Sequence, residues 1–405
     1  MPSMNSPSVQ QETKPPHFEL RVALLYVCIF LPNGIHLPYF PLWLEFSGFS
    51  PTEIGVILSA PLIVRIFAGP IVSAYADRAQ DRVPVLIACA VASVVFCAGY
   101  LLPPTYAVVL VVSILLAATW GPQTPLSDSI ALSGSRRFGS DYASMRVWGS
   151  VAFLAANVVG GYLLGLTGEG LVPWLMIVGL ASIVVAALFV PRIGRPRVVT
   201  PLPSETLDGA AFALRQPYFL IMIVASALGQ SSHAFAYAFS SIYWKSLGIS
   251  DATVGLLWAF SVACEIALFF LFKRLFGRFR PGTALAIGAG IGAVRWVIFP
   301  LVWPAGAGLA GFFAIQAMHA FSFSLVFLAT QKMFSESVPE ARMGAAQGAA
   351  FFINMAVMAA LTLVSGPIYA VYAQFGFWAM AGVSTAATLL AVLAVRYPQS
   401  AASGG

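Results

Sequence analysis

Residues 47–57 read SGFSPTEIGVI and residues 247–257 read LGISDATVGLL. Gly48 answers to Gly248, Ser50 to Ser250 and Gly55 to Gly255, each pair two hundred positions apart in a chain of 405 residues. A phrase that returns at half the chain length marks one joint used twice, once in each of two internal repeats. Apolar runs flank both copies, at 21–44 and 52–76 and again at 217–244 and 252–272.

Composition says what those runs are for. Charged residues are 9% of the chain and apolar ones 59%, with mean hydropathy +0.87, whereas a soluble protein is roughly one quarter charged. Runs long enough to cross a bilayer of about 30 Å as helices recur at 83–102, 105–131, 142–166, 171–190, 282–300, 304–331, 343–370 and 375–396, twelve in all with the four above. Continuous apolar runs, rather than alternation over about ten residues, select helices over a barrel. The expected fold class is an all-α integral membrane protein, its twelve transmembrane helices arranged in two six-helix halves related by a pseudo-twofold axis.

The chain then divides into a disordered cytoplasmic tail (1–18), an N-terminal half (19–190), a linker (191–216), a C-terminal half (217–397) and a second tail (398–405). The first tail is polar and Pro/Ser-rich with no cleavage pattern after the first apolar run, so it is read as retained. The linker contains PRIGRPRVVTPLPSETLDG, where Pro, Ser and Arg displace apolar residues. Seventeen of the 21 Lys and Arg residues fall on the side of the termini, among them Arg78, Arg82, Arg136, Arg137 and Lys332, against Lys245 alone on the other. The positive-inside rule therefore puts both termini in the cytoplasm of a multi-pass protein of the plasma (inner) membrane. The net charge of +6 is a consequence of topology and calls for no nucleic acid or acidic partner.

Three arginines and two acids remain inside the spans: Arg65, Arg146, Arg295, Asp128 and Glu265. A charge at the centre of a membrane helix costs about 2.5–3.5 kcal/mol, so each should be paired, hydrated or working. Arg65 and Glu265 are again offset by two hundred, which predicts equivalent depths facing one central space. Asp128 and Arg146 lie nearer the cytoplasmic ends of the fourth and fifth spans, where snorkelling to the interface competes with a cavity role. Arg295 stands toward the outer part of the ninth span, where packing competes with substrate contact. Three guanidinium groups against two carboxylates leave one positive charge over. An anionic substrate is the simplest complement, and a carboxylate matches the two-pronged guanidinium.

Histidine is the other group whose charge changes near neutral pH. Asn33 with His36 and Phe40, Gln230 with His233 and Tyr237, and Gln316 with His319 and Phe323 each share a helical face. Polar-aromatic stripes on equivalent spans predict a lined cavity. Cys28, Cys89, Cys97 and Cys264 lie in apolar runs without CxxC spacing and read as small buried residues. No P-loop, zinc signature or nucleophile elbow is present, so no cofactor is expected and an ion gradient must supply the energy.

The loop SAYADRAQDR at 73–82 resembles the signature loop of the major facilitator superfamily: Ala76, Asp77, Arg78 and Arg82 match, while Ser73, Gln80 and Asp81 depart. NGIHLPYFPLWLEFSGFSPTEIG (33–55), DYASMRVWGSVAF (141–153), AFSSIYWKSLGISDATVG (238–255), CEIALFF, AVRW and QAMH are similar to the phenylpropionate permease group, relatives of lactose permease. That resemblance implies the major facilitator fold. It also implies that Asp128 and Arg146 act as an acid–arginine pair in substrate binding, and that Glu265, Arg295 and His319 link binding to proton movement. Three residues after His319, where lactose permease keeps a carboxylate, this chain has Ser322; Glu265 is then the expected proton carrier, and Ser322→Ala should do little.

The expectation is a transporter rather than an enzyme: a monomeric proton symporter that imports a small aromatic carboxylate such as 3-phenylpropionate by alternating access. Its partners are that substrate, protons and the lipid bilayer. The expected substrate contacts are Arg146, Asp128, Arg65, Asn33, His233 and Tyr237; the coupling residues are Glu265, His319 and Arg295; Asp77 and Arg78 form a cytoplasmic latch. Symport of a neutral sugar or nucleoside, or drug/proton antiport, are the alternatives.

Overall fold

A computed structural model describes residues 13–194, 216–339 and 342–397. Most of the expected N-terminal tail and linker, and all of the C-terminal tail, lie outside the described residues. Among those described there are fifteen α-helices and no strand. They are α1 (Phe18–Phe46), α2 (Pro51–Arg78), α3 (Val83–Ala98), α4 (Tyr106–Trp120), α5 (Gln123–Phe138), α6 (Tyr142–Thr167), α7 (Val172–Phe189), α8 (Pro217–Ser231), α9 (Ala234–Ser246), α10 (Asp251–Phe276), α11 (Pro281–Ile298), α12 (Gly308–Ala317), α13 (Val326–Ser337), α14 (Met343–Tyr372) and α15 (Phe377–Val395).

Eleven stretches among the described residues are long and apolar enough to cross a membrane, the last of them Met343–Val395 with 53 residues. At about 1.5 Å per residue that is some 80 Å of helix, far beyond a core of about 30 Å. The turn Ala373–Gly376, with Ala373 at φ 46°, splits it into α14 and α15. Counted so, the described residues hold twelve stretches of crossing length.

Three crossings are broken. α4 gives way to α5 at Gly121-Pro122, and α8 to α9 at Ser232-His233. α12 passes into α13 through a π-helical turn, Ala320–Leu325, directly after His319. α1 is continuous but holds Pro32, Pro38 and Pro41. Proline removes a backbone donor, and a π turn interrupts the regular ladder, so these helices present irregular backbone and side chains to the interior. Three of these four crossings, all but α4–α5, carry the polar stripes.

The repeated phrase is a helix–turn–helix joint with the same bonds in both copies. Gly48 N–H donates to Glu45 O and Phe49 N–H to Leu44 O; Gly248 N–H donates to Lys245 O and Ile249 N–H to Trp244 O. Gly48 (φ 89°) and Gly248 (φ 78°) take the left-handed turn that lets the chain reverse. Ser50 then caps α2 in a capping box with Glu53, and Ser250 caps α10 through Thr253 N–H.

The third glycine of each copy makes a close helix crossing. α2 packs on α14 and α6 on α10. A Cβ on Gly55 would stand 3.1 Å from Gly366 Cα, and one on Gly366 would stand 2.5 Å from Pro51 O. At the other crossing the backbone of Asn157 fills the space beside Gly255, and that of Asp251 the space beside Gly161; Tyr39 reaches between them to hydrogen-bond Asn157 O. Lys245 adds ion pairs to Asp251 (2.8 Å) and Glu169 (3.2 Å). The bundle is thus closed at the Lys245 end.

Candidate functional site

Two cavities lie in the other half of the bundle, nearer the end where α2 finishes and α14 begins. The first, about 480 Å³, is lined by Asn33, Arg65, Ser73, Trp120, Thr124 and Phe351 among others. The second, about 630 Å³, is lined by Asp128, Tyr142, Gln230, Gln347 and Asn354 among others, and again by Phe351. Closure at one end and open volume at the other is the geometry of one state of an alternating-access protein.

Arg65 stands on the wall of the first cavity with its guanidinium carbon 5.8 Å from the centre of the Trp120 ring. Its Nε is buried without a partner, and it makes no ion pair among the described residues. Trp120 meets His36 edge to face at 5.4 Å, and His36 stacks on Phe40 at 4.7 Å. Asn33 lines the same cavity while donating Nδ2 to Ile29 O at 2.8 Å, the carbonyl one turn before it.

Asp128 and Arg146 are neighbours through a third residue. Tyr26 Oη donates to Asp128 Oδ1 at 2.6 Å and Tyr142 Oη donates to the same oxygen at 3.0 Å. Arg146 lies over the Tyr26 ring at 5.4 Å and over Phe30 at 4.1 Å. The expected acid–arginine pair is thus joined through a tyrosine shared between the carboxylate and the cation.

In the C-terminal helices the expected coupling residues converge. Arg295, 2% exposed, donates Nε to Ile315 O (2.9 Å), Nη2 to Gln316 Oε1 (2.8 Å) and Nη1 to Ser322 Oγ (3.2 Å), with Nη1 also 3.0 Å from His319 Nδ1. Guanidinium nitrogens only donate, so His319 Nδ1 accepts and the ring proton sits on Nε2. That nitrogen lies 2.9 Å from Glu265 Oε1, and Ser324 Oγ donates to Glu265 Oε2 at 2.9 Å. Glu265 therefore receives two hydrogen bonds, one on each oxygen. A second proton on His319 would sit on Nδ1 and face the Arg295 donor, whereas each Glu265 oxygen keeps a further lone pair.

His233 joins from the N-cap of α9. Its Nδ1 is 3.0 Å from Gln230 O, a carbonyl that only accepts, so Nδ1 carries the proton and Nε2 accepts from Ser322 Oγ at 3.1 Å. Ser322 thus accepts from Arg295 and donates to His233. The expectation that this serine is dispensable is corrected: it is the bridge that satisfies two buried groups. The π turn that contains Ser322 lets His319 and Ser322 meet Arg295 from one side. Tyr237 packs near His233 and Trp258, each at 6.0 Å between ring centres, rather than in either large cavity.

Arg65 and Glu265, expected to face one space, serve different ones: Arg65 lines the first cavity, and Glu265 is bound into the His319 network. Asp77 pairs with Arg82 at 2.6 Å, and Arg82 extends to Ser133 Oγ on α5 at 3.0 Å. Sequence reasoning missed Tyr26, Tyr142, Ser324 and Asn354, since single polar residues in apolar runs carry no signal until packing brings them to a charge.

Residues 20–380 match the family model described as the MFS_1 like family. The chain belongs to that family. The chain is 29% identical over 375 residues to the "Probable 3-phenylpropionic acid transporter" of Escherichia coli (strain K12), covering 91% of this chain and 96% of that one. It is 28% identical over 286 residues to the maltose permease of Geobacillus stearothermophilus, covering 69% and 71%. The crystal structure of the nucleoside transporter NupG superposes with a TM-score of 0.81 at 17% identity, covering 94% of this chain and 100% of that one. At that identity the likeness speaks for the fold alone. The protein is a multi-pass membrane transporter for a small molecule, and not an enzyme.

Proposed function

We propose that the protein is a proton symporter of the inner membrane, both termini in the cytoplasm, that imports a small aromatic carboxylate such as 3-phenylpropionate by alternating access. One observation carries the substrate's class. Arg295 is linked to Glu265 through His319, and Arg146 to Asp128 through Tyr26, while Arg65 stands on a cavity wall with an indole and no anion. The surplus charge counted in the sequence is Arg65, and a carboxylate completes it while the ring lies against Trp120. Of the two arginines expected among the substrate contacts, this gives the anion to Arg65 rather than Arg146. Coupling follows from Glu265: two donors hold its carboxylate, and a proton arriving there removes the negative charge that strengthens both bonds, a local event able to bias the packing of α10 against the π turn.

A neutral sugar or nucleoside would use polar cavity groups but leave Arg65 unmatched, and a cationic drug would be repelled by it. The test is uptake of labelled 3-phenylpropionate into proteoliposomes with and without an inward proton gradient. Accumulation that requires the gradient, and an affinity about ten- to a hundredfold weaker in Arg65→Lys, are expected. Full affinity in Arg65→Lys, with Arg146→Lys impaired instead, would return the role to Arg146; no gradient dependence would remove the proton.

A further inference from the structure

The reading above leaves the second cavity unused. The first cavity, about 480 Å³, already falls in the range of about 300–1,000 Å³ usual for small-molecule sites, so a carboxylate at Arg65 with its ring on Trp120 is housed there. The adjoining cavity adds about 630 Å³ and has a wall of different chemistry. Gln230, Gln331, Gln347 and Asn354 set four amides around it, with the Ser226 and Thr330 hydroxyls beside them. Uncharged amides inside a membrane bundle are costly unless something hydrogen-bonds to them.

Part of this wall is arranged in advance. Gln230 Nε2 donates to Ser226 Oγ at 3.0 Å, and that hydroxyl is 2.7 Å from Thr330 Oγ1. Asn354 is not provided for: its Nδ2 is buried and has no acceptor among the described residues. An unpaired buried donor asks for an explanation, and a hydrogen-bonding guest in the cavity that Asn354 borders supplies one. Asn354 stands nearly one turn after Phe351 on α14, and Phe351 lines both cavities, so the two volumes meet at one aromatic surface. Asp128 lines the second cavity with a carboxylate, which works against a second anionic group there. A hydroxyl fits, because it accepts from an amide N–H and donates to an amide or carboxylate oxygen.

We infer that the second cavity is a subsite for a neutral hydrogen-bonding ring substituent, and that the protein takes ring-hydroxylated aromatic carboxylates in preference to the bare ring. The inference rests on the reading that Arg65 holds the carboxylate. The amides supply recognition of the substituent, and the arginine recognition of the acid.

The test is parallel uptake of 3-phenylpropionate and 3-(4-hydroxyphenyl)propionate by the full-length protein in proteoliposomes. The hydroxylated acid is expected to half-saturate transport at a concentration about three- to tenfold lower. The ratio of the two values is independent of how much protein is folded. Asn354→Leu should bring the ratio close to one by weakening the hydroxylated acid, and Gln347→Leu is the second variant in case Asn354→Leu assembles poorly. A wild-type ratio of one, or a preference that survives both substitutions, overturns the subsite; the amides then only hydrate the path to the mouth. The carboxylate reading is judged separately: it stands if uptake of both acids depends on Arg65, and if neither acid is carried, it falls and takes the subsite with it.

Discussion

Gly366→Ala should open the end of the bundle that is closed here. The added Cβ would lie 2.5 Å from Pro51 O and 3.0 Å from Thr52 Cα, both backbone atoms of the first turn of α2. Ordinary contact begins at 3.4 Å, so α14 and α2 must part by about 0.9 Å at a crossing where no side chain can swing aside. Overpacking of this kind costs about 1–3 kcal/mol. Helix propensity favours Ala over Gly by about 1 kcal/mol, but α14 is helical in either conformation, so that gain cancels from the ratio. The ratio of closed to open populations should fall roughly five- to a hundred-and-fiftyfold. Spin labels at Phe46 and Tyr372, which are 64% and 61% exposed at that end, report the separation of α1 from α14. The expected result is a longer distance component that grows at the expense of the short one. Gly348→Ala is the control, because nothing lies within 4 Å of its Cβ. An unchanged distance distribution in Gly366→Ala, or an equal shift in Gly348→Ala, would refute the argument that this crossing holds the end shut.

Glu265→Gln should abolish gradient-driven accumulation while substrate exchange continues, since a permanently neutral group still passes through the loaded states; equal loss of exchange would make Glu265 a binding or folding residue. Ser322→Ala should lower stability by about 1–3 kcal/mol by stranding His233 Nε2 and an Arg295 N–H, read as a lower thermal midpoint, and an unchanged midpoint would sink the bridging role. Asp77→Asn removes a pair whose carboxylate is 56% exposed, so stability should change by less than about 1 kcal/mol; the latch expectation instead requires a shift in labelling of a cysteine at the mouth of the cavities, and none would reduce the loop to a topogenic signal. 3-Phenylpropanol, with the anion removed and the ring kept, should compete poorly with 3-phenylpropionate, and strong competition would mean that the ring alone drives binding.

The crossings were legible in the sequence because their cause is local: a helix in lipid must be long, apolar and internally hydrogen-bonded, and each run shows that by itself. The joint was legible for a related reason. A positive-φ glycine, a capping serine and a contact glycine act within a few residues, so their repetition survives as letters. The same letters did not show which backbone Gly55 and Gly255 would approach, because the partners Gly366 and Asn157 lie far away in the chain.

The site divides along the same line. Residue type named the charged candidates, since an arginine or acid inside a span is conspicuous, and counting them gave one cation in excess. Which cation it was depended on partners set by packing. A shared tyrosine accounts for Arg146, a histidine relay for Arg295, and Arg65 is left facing a cavity. The sequence by itself therefore determined a twelve-span membrane bundle with a repeated joint and a surplus of buried positive charge. The tertiary structure decided which of the three arginines borders a cavity beside an indole, which tautomer His319 holds against Arg295, and that Ser322 is a bridge, because hydrogen-bond roles depend on distances between helices that no local pattern encodes.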